Sequence, residues 1–156
     1  MSLRFLLDTN VLSEPTRLIP NANVVKMLER YKEEVATATV VFHELLFGCK
    51  RLPESRKRRI LESYLYETVR VQIPLLPYDT NAAIWHATER ARLSSMGKTP
   101  SFADGQIAAI AKVNELILVD EQCFRLCRFS RLTNTKLVCV NIAGSLHKQW
   151  WKGYPY

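Results

Sequence analysis

The sequence predicts one α/β domain built on a mostly parallel sheet with helices on both faces. Three observations carry that expectation. Short apolar runs alternate with amphipathic stretches along the whole chain, the pattern of strands joined by helical crossovers. The chain has 156 residues, which suits one domain with a real core. No internal repeat and no linker-like stretch divides it.

The elements follow in order. Leu3 to Leu7 is an apolar run of strand length, ended by Asp8-Thr9-Asn10, residues that favour caps and turns. A short helix is expected next, stopping before Pro20. Asn23 to Tyr31 is amphipathic, with Val24, Met27, Leu28 and Tyr31 at helical spacing. Glu34 to Thr37 is a second strand candidate. Thr39 is positioned to cap a helix through Val40 to Phe47, which stops near Gly48 to Pro53. Glu54 to Thr68 reads as a further helix with Ile60, Leu61, Tyr64 and Leu65 inward, and Val71 to Leu76 as a strand made irregular by Pro74. Asp79 or Thr80 caps a long helix through Ile84, Ala87, Ala91 and Met96, closed by Gly97. Ser101 caps Phe102 to Asn114, and Leu116 to Val119 is a short, fully apolar strand. Cys123 to Phe129 reads as a loop or short helix, Leu137 to Val140 as a last strand, and an aromatic tail follows.

Composition narrows the class. Hydrophobic residues make up 47% and charged residues 24%, the balance of a folded globular chain rather than a disordered one. No apolar stretch approaches the roughly 18 residues of a membrane span. The N-terminal apolar run is stopped by Asp8 too early for a signal-peptide core. The four cysteines, Cys49, Cys123, Cys127 and Cys139, form neither a CxxC pair nor a zinc set, so they read as reduced, buried thiols. These features point to the cytoplasm. The net charge of +7 and the pI near 9.4 suit a protein that meets polyanions, nucleic acid first among them, although a solvated basic surface looks the same.

Ligands of an open parallel sheet bind beyond the carboxyl ends of its strands. Asp8 follows the first strand directly, and Asp120 and Glu121 follow Leu116 to Val119 directly. Asp104 falls in the first turn of the helix before that strand, and Glu44 falls inside an apolar helix. Asp8 also suits a helix cap, and Asp104 stands three residues after Ser101, the capping-box spacing. Glu44 is costly in an apolar setting unless it is paired or bound to a cation; His43 beside it is either its partner or an ordinary core or surface histidine. Gathered carboxylates repel one another unless some bind protons or a divalent cation joins them. Oxygen-only donors suit Mg²⁺ or Mn²⁺, and such a site suits phosphodiester hydrolysis, with the basic surface holding the polyanion.

These residues resemble a family. Leu6 to Glu14, Phe42-His43-Glu44-Leu45-Leu46-Phe47-Gly48 and Pro100 through Asp104-Gly105-Gln106-Ile107-Ala108-Ala109-Ile110-Ala111 are similar, in order and spacing, to the first three motifs of PIN domains, especially the VapC toxins. The resemblance implies a parallel sheet of four or five strands sandwiched between helices, with the PIN domain at residues 1–141 and residues 142–156 as an aromatic-rich extension. It implies an Mg²⁺- or Mn²⁺-dependent endoribonuclease, silenced by an antitoxin whose C-terminal segment covers the groove, and commonly a homodimer. By the match, Asp8 and Asp104 would hold the metal directly, and Glu44 directly or through water. Thr9 and Asn10 would steady the acids by hydrogen bonds.

The fourth motif departs from the pattern. Asp120 stands at the usual Thr position, Gln122 at the usual Asn or Asp, and Arg125 at a later acid. Gln122 retains hydrogen-bonding capacity, and Asp120 offers a carboxylate from a neighbouring position. The departure also favours an alternative, a PIN-like domain that binds RNA or protein without cleaving. A receiver- or phosphatase-like reading, with Asp8 phosphorylated, meets Asn10 where a second Asp belongs and lacks a glycine-rich phosphate loop.

The densest basic stretch, Lys50, Arg51, Arg56, Lys57, Arg58 and Arg59, suits RNA phosphates, an acidic antitoxin or plain solvation. Arg125 suits an acid of the site or the scissile phosphate. In the tail, Trp150, Trp151, Tyr154 and Tyr156 suit packing, an interface or base stacking.

Overall fold

In a computed structural model that describes residues 2–120 and the backbone of residues 139–141, five strands form one parallel sheet in the order β3-β2-β1-β4-β5. They are β1 (Phe5–Leu7), β2 (Val35–Ala38), β3 (Leu75–Leu76), β4 (Ile117–Asp120) and β5 (Cys139–Asn141). Leu7 is in register with Thr37 on one side and Val119 on the other, so β1 is the central strand. Leu6 and Leu7 point to opposite faces, and both are fully buried, so helices cover the sheet on both sides. Burial on both faces is why β1 and β4 read as unbroken apolar runs. Each such leucine stabilises the fold by roughly 1.5–3 kcal/mol.

The chain builds the β1-β2-β3 side first and then crosses to β4. The order therefore reverses between β1 and β4, and the carboxyl ends of these two strands form the switch point where such sheets bind ligands. Asp8 and Asp120 lie there. The Asp8 N–H donates to the Val119 carbonyl at 3.1 Å, tying the start of the site to β4.

The helices are α1 (Thr9–Ser13), α2 (Ala22–Arg30), α3 (Thr39–Lys50), α4 (Arg56–Ser63), α5 (Arg70–Gln72), α6 (Thr80–Ser95) and α7 (Phe102–Val113). Asp79 and Ser101 cap α6 and α7 as the sequence predicts, and Gly97, at φ 67°, ends the turn after α6. Among the described residues, no helix is long and apolar enough to cross a membrane.

Three expectations need correction. Ala38, not Thr39, is the N-cap of α3, and it makes no side-chain cap bond; Thr39 is already helical. The helix expected over Glu54 to Thr68 starts at Arg56 behind the Ser55 cap and widens into a π-helical stretch at Tyr64–Val69, with Ile60 57% exposed rather than inward. The strand expected over Val71 to Leu76 shrinks to two residues, because Arg70–Gln72 complete the preceding helix and Pro74 brings no N–H to the ladder. On α6, Ala82, His86, Glu89 and Leu93 are buried, while Ile84, Ala87 and Ala91, and Met96 at the C-cap, are exposed.

Candidate functional site

Asp8 occupies the N-cap of α1 but does not act as an ordinary capping aspartate, for its side chain makes no cap hydrogen bond. It is 9% exposed, and burial pushes its carboxyl up from 3.8 to about 7. The Thr9 backbone N–H partly offsets that rise, while the negative charges of Asp120, Glu44 and Asp104 add to it. Acids from three other segments thus act electrostatically on one buried carboxylate. Of the five acids that the sequence singled out, four stand within electrostatic reach at Asp8, and Glu121 lies outside the described residues.

Each comes from a different local cause. Asp120 is the last residue of β4, 1% exposed, and in register with Asn141 of β5. Asp104 is half-buried in the first turn of α7, where its backbone N–H is capped by Ser101 Oγ at 3.1 Å. Glu44 is half-buried on α3, and its Oε2 accepts from Thr9 Oγ1 at 2.6 Å. This corrects one inference from the sequence. The helix around Glu44 is not buried all round, since Phe47 is 55% exposed and His43 is an exposed residue stacked on Phe47 rather than a partner of Glu44. Only Val41 and Cys49 of α3 are buried. Asn10 is half-buried in α1, and its carbonyl accepts from Ser13 Oγ at 3.1 Å. Gln122 and Arg125, the loop after Asp120 and the aromatic tail lie outside the described residues.

Every donor in the cluster is a carboxylate oxygen, the set that suits Mg²⁺ or Mn²⁺. The carboxylates are gathered but open: among the described residues, no three His, Cys, Asp or Glu side chains are grouped as a ready-made metal site. A cation binding here would offset the burial and the mutual repulsion that raise the Asp8 carboxyl.

A cleft of about 290 Å³ opens beside Glu44, with Thr9 also on its wall. Ser13, Leu45, Leu61 and Tyr64 continue it between α1, α3 and α4. The Tyr64 hydroxyl donates to the Leu12 carbonyl at 2.9 Å, so the π-helical stretch is fastened to α1. The basic stretch divides into two kinds of residue. Arg58 is spent inside the fold, on the Leu52 carbonyl at 3.1 Å, Glu54 at 3.0 Å and Glu62 at 3.2 Å, and Lys50 also pairs with Glu62 at 2.7 Å. Arg51, Arg56 and Arg59 are exposed.

Some site-supporting residues escaped sequence reasoning. Fully buried Thr37, at the end of β2, donates its hydroxyl to the Leu7 carbonyl at 2.9 Å, bracing the peptide just before Asp8. Buried Glu14 accepts from the Asn21 N–H at 2.6 Å and pairs with Arg17 at 2.8 Å, fastening the chain after α1. An aliphatic strand that breaks to Thr and a Glu directly before Pro15 are weak signals that ordinary loop chemistry also produces.

The fold and this acidic switch point define a class: the chain belongs to the PIN-domain family, whose model matches residues 5–122. Within it the chain is a toxin of the toxin–antitoxin type. It is 37% identical to Toxin FitB of Neisseria gonorrhoeae (strain ATCC 700825 / FA 1090) over 117 residues, covering 71% of this chain and 82% of that one. Its fold superposes on the structure of FitAB bound to an IR36 DNA fragment with a TM-score of 0.80 and 27% identity, covering 92% of this chain and 99% of that one. DNA-bound VapBC from Salmonella typhimurium shares the fold at a TM-score of 0.72 and 20% identity, over 89% of this chain and 98% of that one.

Proposed function

We propose that this toxin is a ribonuclease that hydrolyses RNA phosphodiesters with Mg²⁺ or Mn²⁺ at Asp8, Glu44, Asp104 and Asp120. The observation that carries the reading is the raised carboxyl of Asp8, buried at the switch point and acted on by the three other acids. Asp8 and Asp104 are the direct holders, Glu44 a direct or water-linked one, and Asp120 an additional acid from β4. The bound cation supplies charge neutralisation at the scissile phosphate and activation of the attacking water.

The chain's own residues do the rest. Asp8 is held rigidly by the Val119 carbonyl and by α1. Thr9 fixes one oxygen of Glu44 and leaves the other to orient water or accept its proton. Exposed Arg51, Arg56 and Arg59 offer charge to the RNA backbone or to acidic residues of an antitoxin, with Arg125 a further candidate contact. Gln122, whose side chain can both donate and accept hydrogen bonds, is a further candidate to support the site.

The cleft between α1, α3 and α4 is where the antitoxin segment covers the toxin. By likeness to FitAB and VapBC, the toxin–antitoxin complex binds DNA while the toxin is silent. The toxin is a homodimer that works in the cytoplasm. The test is incubation of antitoxin-free protein with total cellular RNA in Mg²⁺, in Mn²⁺ and in EDTA. Discrete fragments that need metal are expected. Intact RNA in both metals, from folded protein, would favour a PIN-like domain that binds without cleaving.

A further inference from the structure

Asp104 has no strand to hold it. It stands on the first turn of α7, which packs on α6, and there one buried histidine lies against Gly105. His86, on α6, is 1% exposed. Its Nδ1 lies 2.9 Å from the Tyr78 hydroxyl, just ahead of α6. Its Nε2 is buried with no hydrogen-bond partner and faces Gly105, the residue after Asp104. A Cβ at Gly105 would overlap Nε2 outright and lie 2.8 Å from both Cδ2 and Cε1. The imidazole therefore occupies the space that any larger residue at position 105 would need.

Both halves of this contact carry a cost. A glycine inside a helix is a weaker choice than alanine. A buried imidazole nitrogen without a partner is a weaker choice than an apolar side chain. Burial and the nearby charge of Arg90 hold His86 below the usual histidine range, which keeps the ring neutral in its pocket. The Phe102 ring, at the start of α7, lies 5.1 Å from the His86 ring and 5.2 Å from the Arg90 guanidinium. The first turn of α7 is thus seated on α6 at two points, Phe102 and Gly105, and Asp104 lies between them.

We propose that His86, oriented by Tyr78, is a positioning residue that sets the depth of Asp104 in the acidic site through its contact with Gly105. The proposal rests on the metal-site reading above. It assigns the hydrogen-bonded Tyr78–His86 pair a role in metal affinity rather than in general stability.

The experiment is Mn²⁺ calorimetry on the full chain, with thermal melting of every variant. Gly105→Ala is expected to raise the Mn²⁺ Kd roughly tenfold or more, the scale at which outer supports of metal ligands act. His86→Ala removes the seat itself and is expected to raise the Kd by a similar factor, and in the double variant the two losses should be less than additive. A folded Gly105→Ala protein with unchanged Kd would overturn the proposal, as would a folded His86→Ala protein with unchanged Kd. Should Gly105→Ala fail to fold, Tyr78→Phe takes its place beside Val24→Ala, a buried deletion in α2. Weaker Mn²⁺ binding in Tyr78→Phe alone supports positioning, and equal binding in the two overturns it. Asp104→Asn separates the two levels of argument. Lost affinity there with none lost in Gly105→Ala sinks the inference alone, whereas no loss in Asp104→Asn sinks the metal reading and the inference together.

Discussion

Thr9 Oγ1 donates a hydrogen bond to Glu44 Oε2 at 2.6 Å, joining α1 to α3 across 35 residues of sequence. The bond spans the rim of the acidic cluster. It turns a half-buried glutamate on a partly exposed helix toward Asp8, and it adds to the negative field there without neutralising it.

Thr9→Val keeps the shape of the side chain and removes the donor. Hydrogen bonds to a charged group are worth roughly 1.5–3 kcal/mol when buried, and less at a half-exposed site. The expected outcome is a small fall in melting temperature and a roughly tenfold fall in RNA cleavage rate. Melting curves beside cleavage kinetics separate the two effects.

Asp8 makes the metal-free fold sensitive to pH. Its folded pKa of about 7 lies above the ordinary 3.8, so the fold favours the protonated form. The stability gained is complete below about pH 4, is lost as pH rises through about 7, and is absent above that. Asp8→Asn removes the dependence. In EDTA, urea unfolding should find the two proteins closest near pH 4 and the variant more stable at pH 8. The gap should widen by about 1.4 kcal/mol for each pH unit climbed between the unfolded and folded pKa values. A wild type that gains stability over the variant as pH rises would refute the burial of Asp8 as a strained carboxylate.

Thr37→Val tests the brace behind Asp8. Its hydroxyl is fully buried and its bond to the Leu7 carbonyl is 2.9 Å. The loss leaves a buried acceptor short of a partner and should cost about 1–3 kcal/mol in denaturant unfolding.

The exposed arginines give a salt signature. Replacing Arg51, Arg56 and Arg59 with alanine should lower the slope of log affinity for single-stranded RNA against log salt by about 0.7 for each phosphate no longer neutralised. Arg58→Ala should instead act on stability, because its guanidinium serves Leu52, Glu54 and Glu62. An unchanged slope in the triple variant would assign that face to a partner protein or to solvent.

The acids at strand ends were legible because burial on both faces made β1 and β4 unbroken apolar runs, and Asp8 and Asp120 mark where those runs stop. Asp104 was legible through its cap, Ser101. Glu44 was singled out for a partly mistaken reason: the apolar residues around it are not all buried, and Thr9 supports it rather than His43. The widening at Tyr64–Val69 escaped notice because an apolar pattern of period 3.6 does not register a single slackened turn. On α6 the buried face carries His86 and Glu89 beside Ala82 and Leu93, while Ile84 is exposed. Polar residues that turn inward for tertiary contacts look like surface residues until their partners are known, and Thr37 and Glu14 illustrate the same limit.

The most direct test of the central claim is Mn²⁺ binding to wild type and to Asp8→Asn by calorimetry at pH 8, where Asp8 is charged. If the four acids form one cation site, the wild type binds Mn²⁺ and the folded variant loses that binding by roughly 100-fold or more, the upper scale for groups that govern metal affinity. Equal affinity in the two proteins would contradict the account.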